Sequence, residues 1–113
     1  MNEFTSLDAW EAALAASDEK PIFLFKHSTR CPISAGAHDR VASFLAHAPE
    51  GCPEFYLIKV IESRPVSNAI TETLGVPHQS PQLILVKGRK AVWSSSHYDI
   101  TEDHIAEAIK QYL

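Results

Sequence analysis

The apolar positions of the chain form two recurring patterns: short unbroken runs, and stripes spaced three or four residues apart. Runs of that length suit buried strands, and the stripes suit helices that cover them. The first stripe follows Thr5 and Ser6, either of which can cap a helix start, and sets Leu7, Trp10 and Leu14 on one face. PIFLF, from Pro21 to Phe25, then predicts a strand, short and wholly apolar. From Cys31 the spacing turns helical and runs to about His47. Pro32 suits the first helical position, where its missing N–H is not needed, and Ala35, Val41 or Ala42, and Leu45 build the inner face. Pro49 and Gly51 stop the run. FYLIKVI, from Phe55 to Ile61, predicts a second buried strand. Ser63 caps a third helix with Pro65 in its first turn, Val66, Ile70 and Leu74 facing inward, and Gly75 closing it.

QLILVK predicts a third strand, and Gly88-Arg89 a tight turn into a fourth, AVWSSS, paired antiparallel with it. Thr101 starts the last helix, with Glu102 and Asp103 in its positive first turn and Ile105, Ile109 and Leu113 facing inward. The order is α-β-α-β-α-β-β-α. Strand–helix–strand units cross over right-handed to give parallel strands, and the closing hairpin adds an antiparallel pair. That layout predicts a thioredoxin-like α/β fold, a mixed four-stranded sheet with helices on both faces. With 113 residues there is material for one modest core, so residues 1–113 read as a single domain.

Charge and composition narrow the function. The formal charge is −4 and no basic run occurs, which argues against nucleic acid as a partner. The longest apolar stretches are strand-sized, so no membrane span is expected. The N-terminus carries acids within an amphipathic pattern and lacks a basic start with a continuous apolar core, so it does not read as a signal peptide. The expected location is the reducing cytoplasm, where lone thiols stay free. The two cysteines are not expected to pair. A helix from Cys31 to about His47 rises 1.5 Å per residue and puts Cys52 roughly 20 Å away, whereas a disulfide needs α-carbons within about 7 Å.

Cys31 is the main candidate for chemistry. It stands between a strand and a helix, where its sulfur can accept hydrogen bonds from the free N–H groups of Ile33 and Ser34 and sit in the positive end of the helix dipole. Both effects favour thiolate, the nucleophilic form. Arg30, Lys26 and His27 add positive potential, and no acidic residue occurs between Pro21 and His38. Ser34 stands three residues on, where a dithiol redox protein carries its second sulfur, and its hydroxyl can donate to the first. The bland alternative is that Cys31 merely caps the helix, but cysteine is a poor capper beside Ser, Asp or Asn. Ser80-Pro81, directly before QLILVK, is placed as the cis-proline that thioredoxin-like folds present beside the reactive thiol. A cis X–Pro bond is a minority state, so position is the argument here. Ser80 could then offer its backbone N–H and C=O to an extended thiol peptide.

Four stretches in order, CPIS, IESRPVSNAI, HQSPQLILVKG and AVWSSSHYDIT, resemble the monothiol bacilliredoxin family over nearly the whole chain. The resemblance implies a reductase of mixed disulfides between proteins and bacillithiol, a small thiol that some bacteria use in place of glutathione. It implies Cys31 as nucleophile, Pro32 as its helix-starting neighbour, Ser34 in place of a resolving thiol, and Pro81 as the cis-proline. Arg64, Ser67, Asn68, His78, Trp93, Ser96 and His97 are family-like as well. No bound cofactor is implied; bacillithiol is a co-substrate, and the partners are bacillithiolated proteins. Cys31 would take the bacillithiol group from a modified protein, and a second small thiol from solution would release it.

Other readings compete with this one. The six histidines are scattered, without a two-His helical pair or paired Cys-x-x-Cys knuckles, so no metal site is expected, nor a shared iron–sulfur cluster. Lys26, Arg64, Asn68 and His78 are candidates to bind the thiol ligand; His78 could take a ligand carboxylate or simply fix its loop. Arg30 could steer ligand or thiolate, or be a solvated surface charge. Two rivals stand: a redox-silent adaptor that holds peptides, and a monothiol glutaredoxin-like protein that uses glutathione. A peroxidase is disfavoured, because STRC lacks the Thr-x-x-Cys spacing such enzymes use.

Overall fold

The computed structural model describes residues 1–113. A two-residue strand β1 (Asn2–Glu3) precedes helix α1 (Leu7–Ala16), strand β2 (Ile22–His27) and helix α2 (Pro32–Ala46). Strand β3 (Glu54–Lys59), helix α3 (Arg64–Leu74) and the hairpin of β4 (Gln82–Lys87) and β5 (Lys90–Ser96) follow. A short 3-10 turn (His97–Asp99) leads into α4 (Glu102–Tyr112). The sheet order is β1-β3-β2-β4-β5, with β2 parallel to β3 and antiparallel to β4. The fold is thioredoxin-like, as the order of elements predicts, but the sheet has five strands rather than four. The extra strand pairs Asn2 with Tyr56 and Glu3 with Leu57 at the edge, and Phe4 N–H adds a bond to Leu57 C=O at 2.9 Å. Both strand residues are exposed, so no alternation of apolar and polar residues marks it.

β2 fills the middle of the sheet and is buried on both faces, which is why PIFLF carries no alternation. Phe23 and Phe25 point to one side and meet Ala37, Val41 and Phe44 of α2 and Ile105 of α4. Ile22 and Leu24 point to the other and meet Trp10 of α1 and Val66 and Ile70 of α3. Each layer holds about ten buried side chains, and fully burying each aliphatic or aromatic one contributes roughly 1.5–3 kcal/mol before the entropic cost of ordering the chain.

Local signals act as expected at most ends. Ser6 accepts from Ala9 N–H at 3.2 Å, and Thr101 from His104 N–H at 3.2 Å. Gly75 closes α3 with φ of 68°, the left-handed region that a side chain disfavours. Ser63 precedes α3 without a side-chain cap bond. Several residues expected inside are exposed: Leu7 and Leu113 at helix ends, Ala35 in the first turn of α2, and Ile61, which lies beyond the end of β3.

Candidate active site

β2 and β3 run parallel, so the segments that leave them emerge at one edge of the sheet, and antiparallel β4 begins at that same edge. The register pairs Lys26 with Gln82 and with Ile58. Cys31 after β2, the start of α3 after β3, and Ser80-Pro81 before β4 therefore gather at one end of the sheet. Cys52 lies at the opposite end: it stands two residues before the start of β3, where Glu54 pairs with Ile22. Both thiols are free.

Cys31 is the N-cap residue of α2, in extended conformation, with Pro32 opening the helix. Its carbonyl accepts from Ala35 N–H at 3.0 Å, which fixes the backbone, and the residue is half-buried rather than enclosed. One expectation fails. The sulfur takes no capping hydrogen bond from the amides of Ile33 and Ser34, although the extended backbone of Cys31 resembles that of Ser6 and Thr101, which do cap. The helix axis still ends at this residue, and with it the positive end of the dipole.

Ser34 corrects a second expectation. It is fully buried, accepts from Ser28 N–H at 2.9 Å, and lies 2.7 Å from Nδ1 of His27. The hydroxyl belongs to the β2–α2 loop and does not donate to the sulfur. His27 points to the α2 side of the sheet and stands against His38, ring centroids 5.0 Å apart. Burial first, then the charge of His38, lower its pKa, and Lys59 adds to this while Glu62 opposes it.

Acidic residues are absent near Cys31 in sequence but not in space. Glu62, arriving from the β3–α3 connection, accepts from Thr29 Oγ1 at 2.9 Å. Its pKa is lowered by its own backbone amide and by Thr29, with Lys59 and Arg30 contributing. Arg30 is exposed beside Cys31. Lys26 does not line the surface as expected. It is fully buried on the α3 side of the sheet, where Nζ donates to Ser67 C=O at 3.1 Å and Thr71 Oγ1 at 2.7 Å and lies 3.4 Å from Nδ1 of His78. Burial lowers its pKa to about 8. Arg64, Asn68 and His78 are exposed.

The Ser80-Pro81 bond is cis, and Pro81 is buried. Pro81 C=O accepts from His97 N–H at 3.0 Å, so the turn that follows β5 holds the proline in place. The N–H and C=O of Ser80 engage no other backbone group, which leaves them for an extended ligand. Sequence reasoning missed Gln82. Buried at 3% exposure, it donates to Pro77 C=O at 3.1 Å and accepts from Gln79 N–H at 3.4 Å, bracing the loop that carries His78. A polar residue opening an otherwise apolar strand was the available signal. Trp93, by contrast, packs edge-on against Phe23, centroids 6.2 Å apart, as a sheet residue should.

The largest cavity, about 620 Å³, lies at the far end of the sheet, lined by Cys52, Tyr56, Lys20, Lys87 and others. Burial, then the neighbouring Glu54, raise the Cys52 pKa and keep it a thiol. A cysteine at a helix start, at the sheet end that also carries the cis-proline, is the better-founded candidate site, whatever the relative size of the concavities. No group of three or more His, Cys, Asp or Glu side chains is arranged to hold a metal ion, and no helix is long and apolar enough to cross a membrane.

A part-exposed cysteine at the head of α2, at the sheet end that carries a cis-proline, on this sheet, belongs to a thiol–disulfide oxidoreductase of the thioredoxin class. More particularly, residues 2–105 match the family described as monothiol bacilliredoxin BrxC, and the chain belongs to that family. Solved structures agree on the fold. One, a protein with a thioredoxin fold proposed to be an oxidoreductase, is 32% identical over 96% of this chain and 92% of its own, with a TM-score of 0.82. Fasciola hepatica thioredoxin superposes over all of both chains with a TM-score of 0.77 at 17% identity. The thioredoxin NaTrxh of Nicotiana alata covers 98% of this chain and 90% of its own, with a TM-score of 0.76 at 20% identity. At those identities the two thioredoxins attest the fold alone.

Proposed function

We propose that the protein reduces mixed disulfides between proteins and bacillithiol, with Cys31 as the sole reacting sulfur, in the reducing cytoplasm. The observation that carries this reading is the pairing of a part-exposed cysteine at the N-cap of α2 with a buried serine one turn on. Family membership points to bacillithiol as the small thiol.

The thiolate of Cys31 attacks the bacillithiol sulfur of the modified protein. A new disulfide forms between Cys31 and bacillithiol, the old one breaks, and the protein leaves as thiolate and takes a proton from water. No second sulfur stands in α2 to displace the adduct. A second bacillithiol, as thiolate, attacks the bacillithiol sulfur of the adduct, releasing oxidised bacillithiol and restoring Cys31. The substrate's extended backbone pairs with Ser80, beside Pro81. Exposed Arg30, Arg64, Asn68 and His78 receive the polar groups and carboxylates of the small thiol; buried Lys26 does not touch it.

The test is to mix purified protein with a bacillithiolated substrate and follow both by intact mass. The adduct should move to Cys31 and fail to move in Cys31→Ala. Absence of transfer in the unaltered protein leaves the redox-silent peptide adaptor as the reading. Preferred transfer from a glutathionylated substrate keeps the mechanism and replaces the co-substrate.

A further inference from the structure

Lys26 brings a charge into a place with no counter-ion. It is fully buried, and its three hydrogen-bonding neighbours are Ser67 C=O, Thr71 Oγ1 and His78 Nδ1, at 3.1, 2.7 and 3.4 Å. None is an anion. An ammonium has three N–H bonds and no lone pair, so each neighbour must accept. The Thr71 hydroxyl can do so because its own proton goes to Ser67 C=O, 3.3 Å away. His78 can do so only when Nδ1 carries no proton. The ring then holds its proton on Nε2, the nitrogen that the ammonium does not engage, on a residue that is exposed and takes no hydrogen bond through that nitrogen.

We infer that Lys26 is a positioning residue whose buried ammonium locks His78 in the neutral tautomer with its proton on Nε2, making that nitrogen a hydrogen-bond donor for a carboxylate of the small thiol. The inference rests on the reading of the Cys31 site given above and extends it to the ligand's acidic end. The charged groups that face His78 are Lys26 from β2 and Arg64 from α3. Burial first, then Lys26, then Arg64, lower the His78 pKa, so the ring is neutral at neutral pH. The bond from Lys26 chooses between the two neutral forms, while the side-chain amide of Gln82 braces the loop through Pro77 C=O and Gln79 N–H.

The test couples NMR of isotopically labelled histidine at neutral pH to kinetics of adduct transfer onto Cys31. In the unaltered protein His78 should show a single neutral tautomer, protonated on Nε2 with Nδ1 accepting a hydrogen bond; Lys26→Met should show both tautomers. Loss of an oriented donor to a charged group should lower kcat/KM about tenfold in Lys26→Met. The double substitution Lys26→Met with His78→Ala should be no slower than His78→Ala alone. His78→Gln, whose amide nitrogen reaches the place of Nε2, should restore most of the rate, and His78→Asn should not. With a cysteamine adduct, which has no carboxylate, the loss in Lys26→Met should shrink.

A proton on Nδ1 or an even mixture in the unaltered protein overturns the inference, and that measurement needs no variant to fold. Additive losses, or equal losses with both adducts, overturn it too. If the unaltered protein takes up no adduct, the functional reading fails, while the tautomer still decides whether Lys26 acts on His78.

Discussion

Ser34 Oγ lies 2.7 Å from Nδ1 of His27, although Ser34 stands where a second sulfur would serve the first. The hydroxyl ties the first turn of α2 to the end of β2 and also accepts from Ser28 N–H. The side chain that replaces a resolving thiol therefore organises the loop that presents Cys31.

Ser34→Cys should convert the mechanism. The introduced thiol, one helical turn from Cys31, should displace bacillithiol internally, so that intact mass shows an intramolecular disulfide instead of an accumulating adduct. An adduct that persists until external thiol is added contradicts this. Sulfur is a weaker hydrogen-bonding atom, so the variant should lose about 1 kcal/mol of stability by urea titration.

Cys52→Ala should leave adduct transfer within about twofold of the unaltered rate, because Cys52 is at the other end of the sheet and its pKa is raised by burial and Glu54. In competition for iodoacetamide near neutral pH, Cys31 should be labelled first. Faster labelling at Cys52, read by peptide mass, would reverse the assignment of the reactive thiol.

Acid should weaken the fold through His27 and His78, whose folded pKa values both lie below the unfolded value of about 6.5. The unfolded chain then binds more protons, so the stabilisation is fully present above the unfolded pKa. It is lost as pH falls from about 6.5 through the folded values. His27→Gln should flatten part of that decline in urea midpoints measured across the window. An identical decline in the variant excludes His27 as a source.

Lys26 should act at the alkaline side. Its folded pKa of about 8 is below its ordinary 10.5, so the unfolded chain again binds more protons between those values. Stability from this group is lost as pH falls through about 8 and is recovered as pH rises toward 10.5. Relative to Lys26→Met, the unaltered protein should therefore gain stability over that range, with a slope of at most about 1.4 kcal/mol per pH unit. A difference that does not change with pH would show the ammonium to be solvated.

Cys31, Pro32 and Ser80-Pro81 were legible because each signal is local: a strand end, a helix start, and a proline at a strand entrance. The β4–β5 turn was legible too, because Gly88 is the residue type a tight turn takes at positive φ; Arg89, which also adopts positive φ, gave no such signal. Lys26 and His27 were not. They are adjacent on β2, so their side chains leave opposite faces of the sheet, and which neighbours each meets depends on α3 and α2 packing there. Glu62 reaches Thr29 across 33 positions of sequence, and no count of charges near Cys31 could include it.

Taken alone, the order of apolar runs and stripes determined the layering, because burial of apolar surface is non-directional and each pattern has few ways to satisfy it. The same string also placed a cysteine at a helix start and a proline opposite. Folding in three dimensions decided how the polar groups pair: Ser34 with His27 rather than with sulfur, and Lys26 with His78 rather than with solvent. Hydrogen bonds are short and directional, so their partners are settled only when distant segments have been packed into contact.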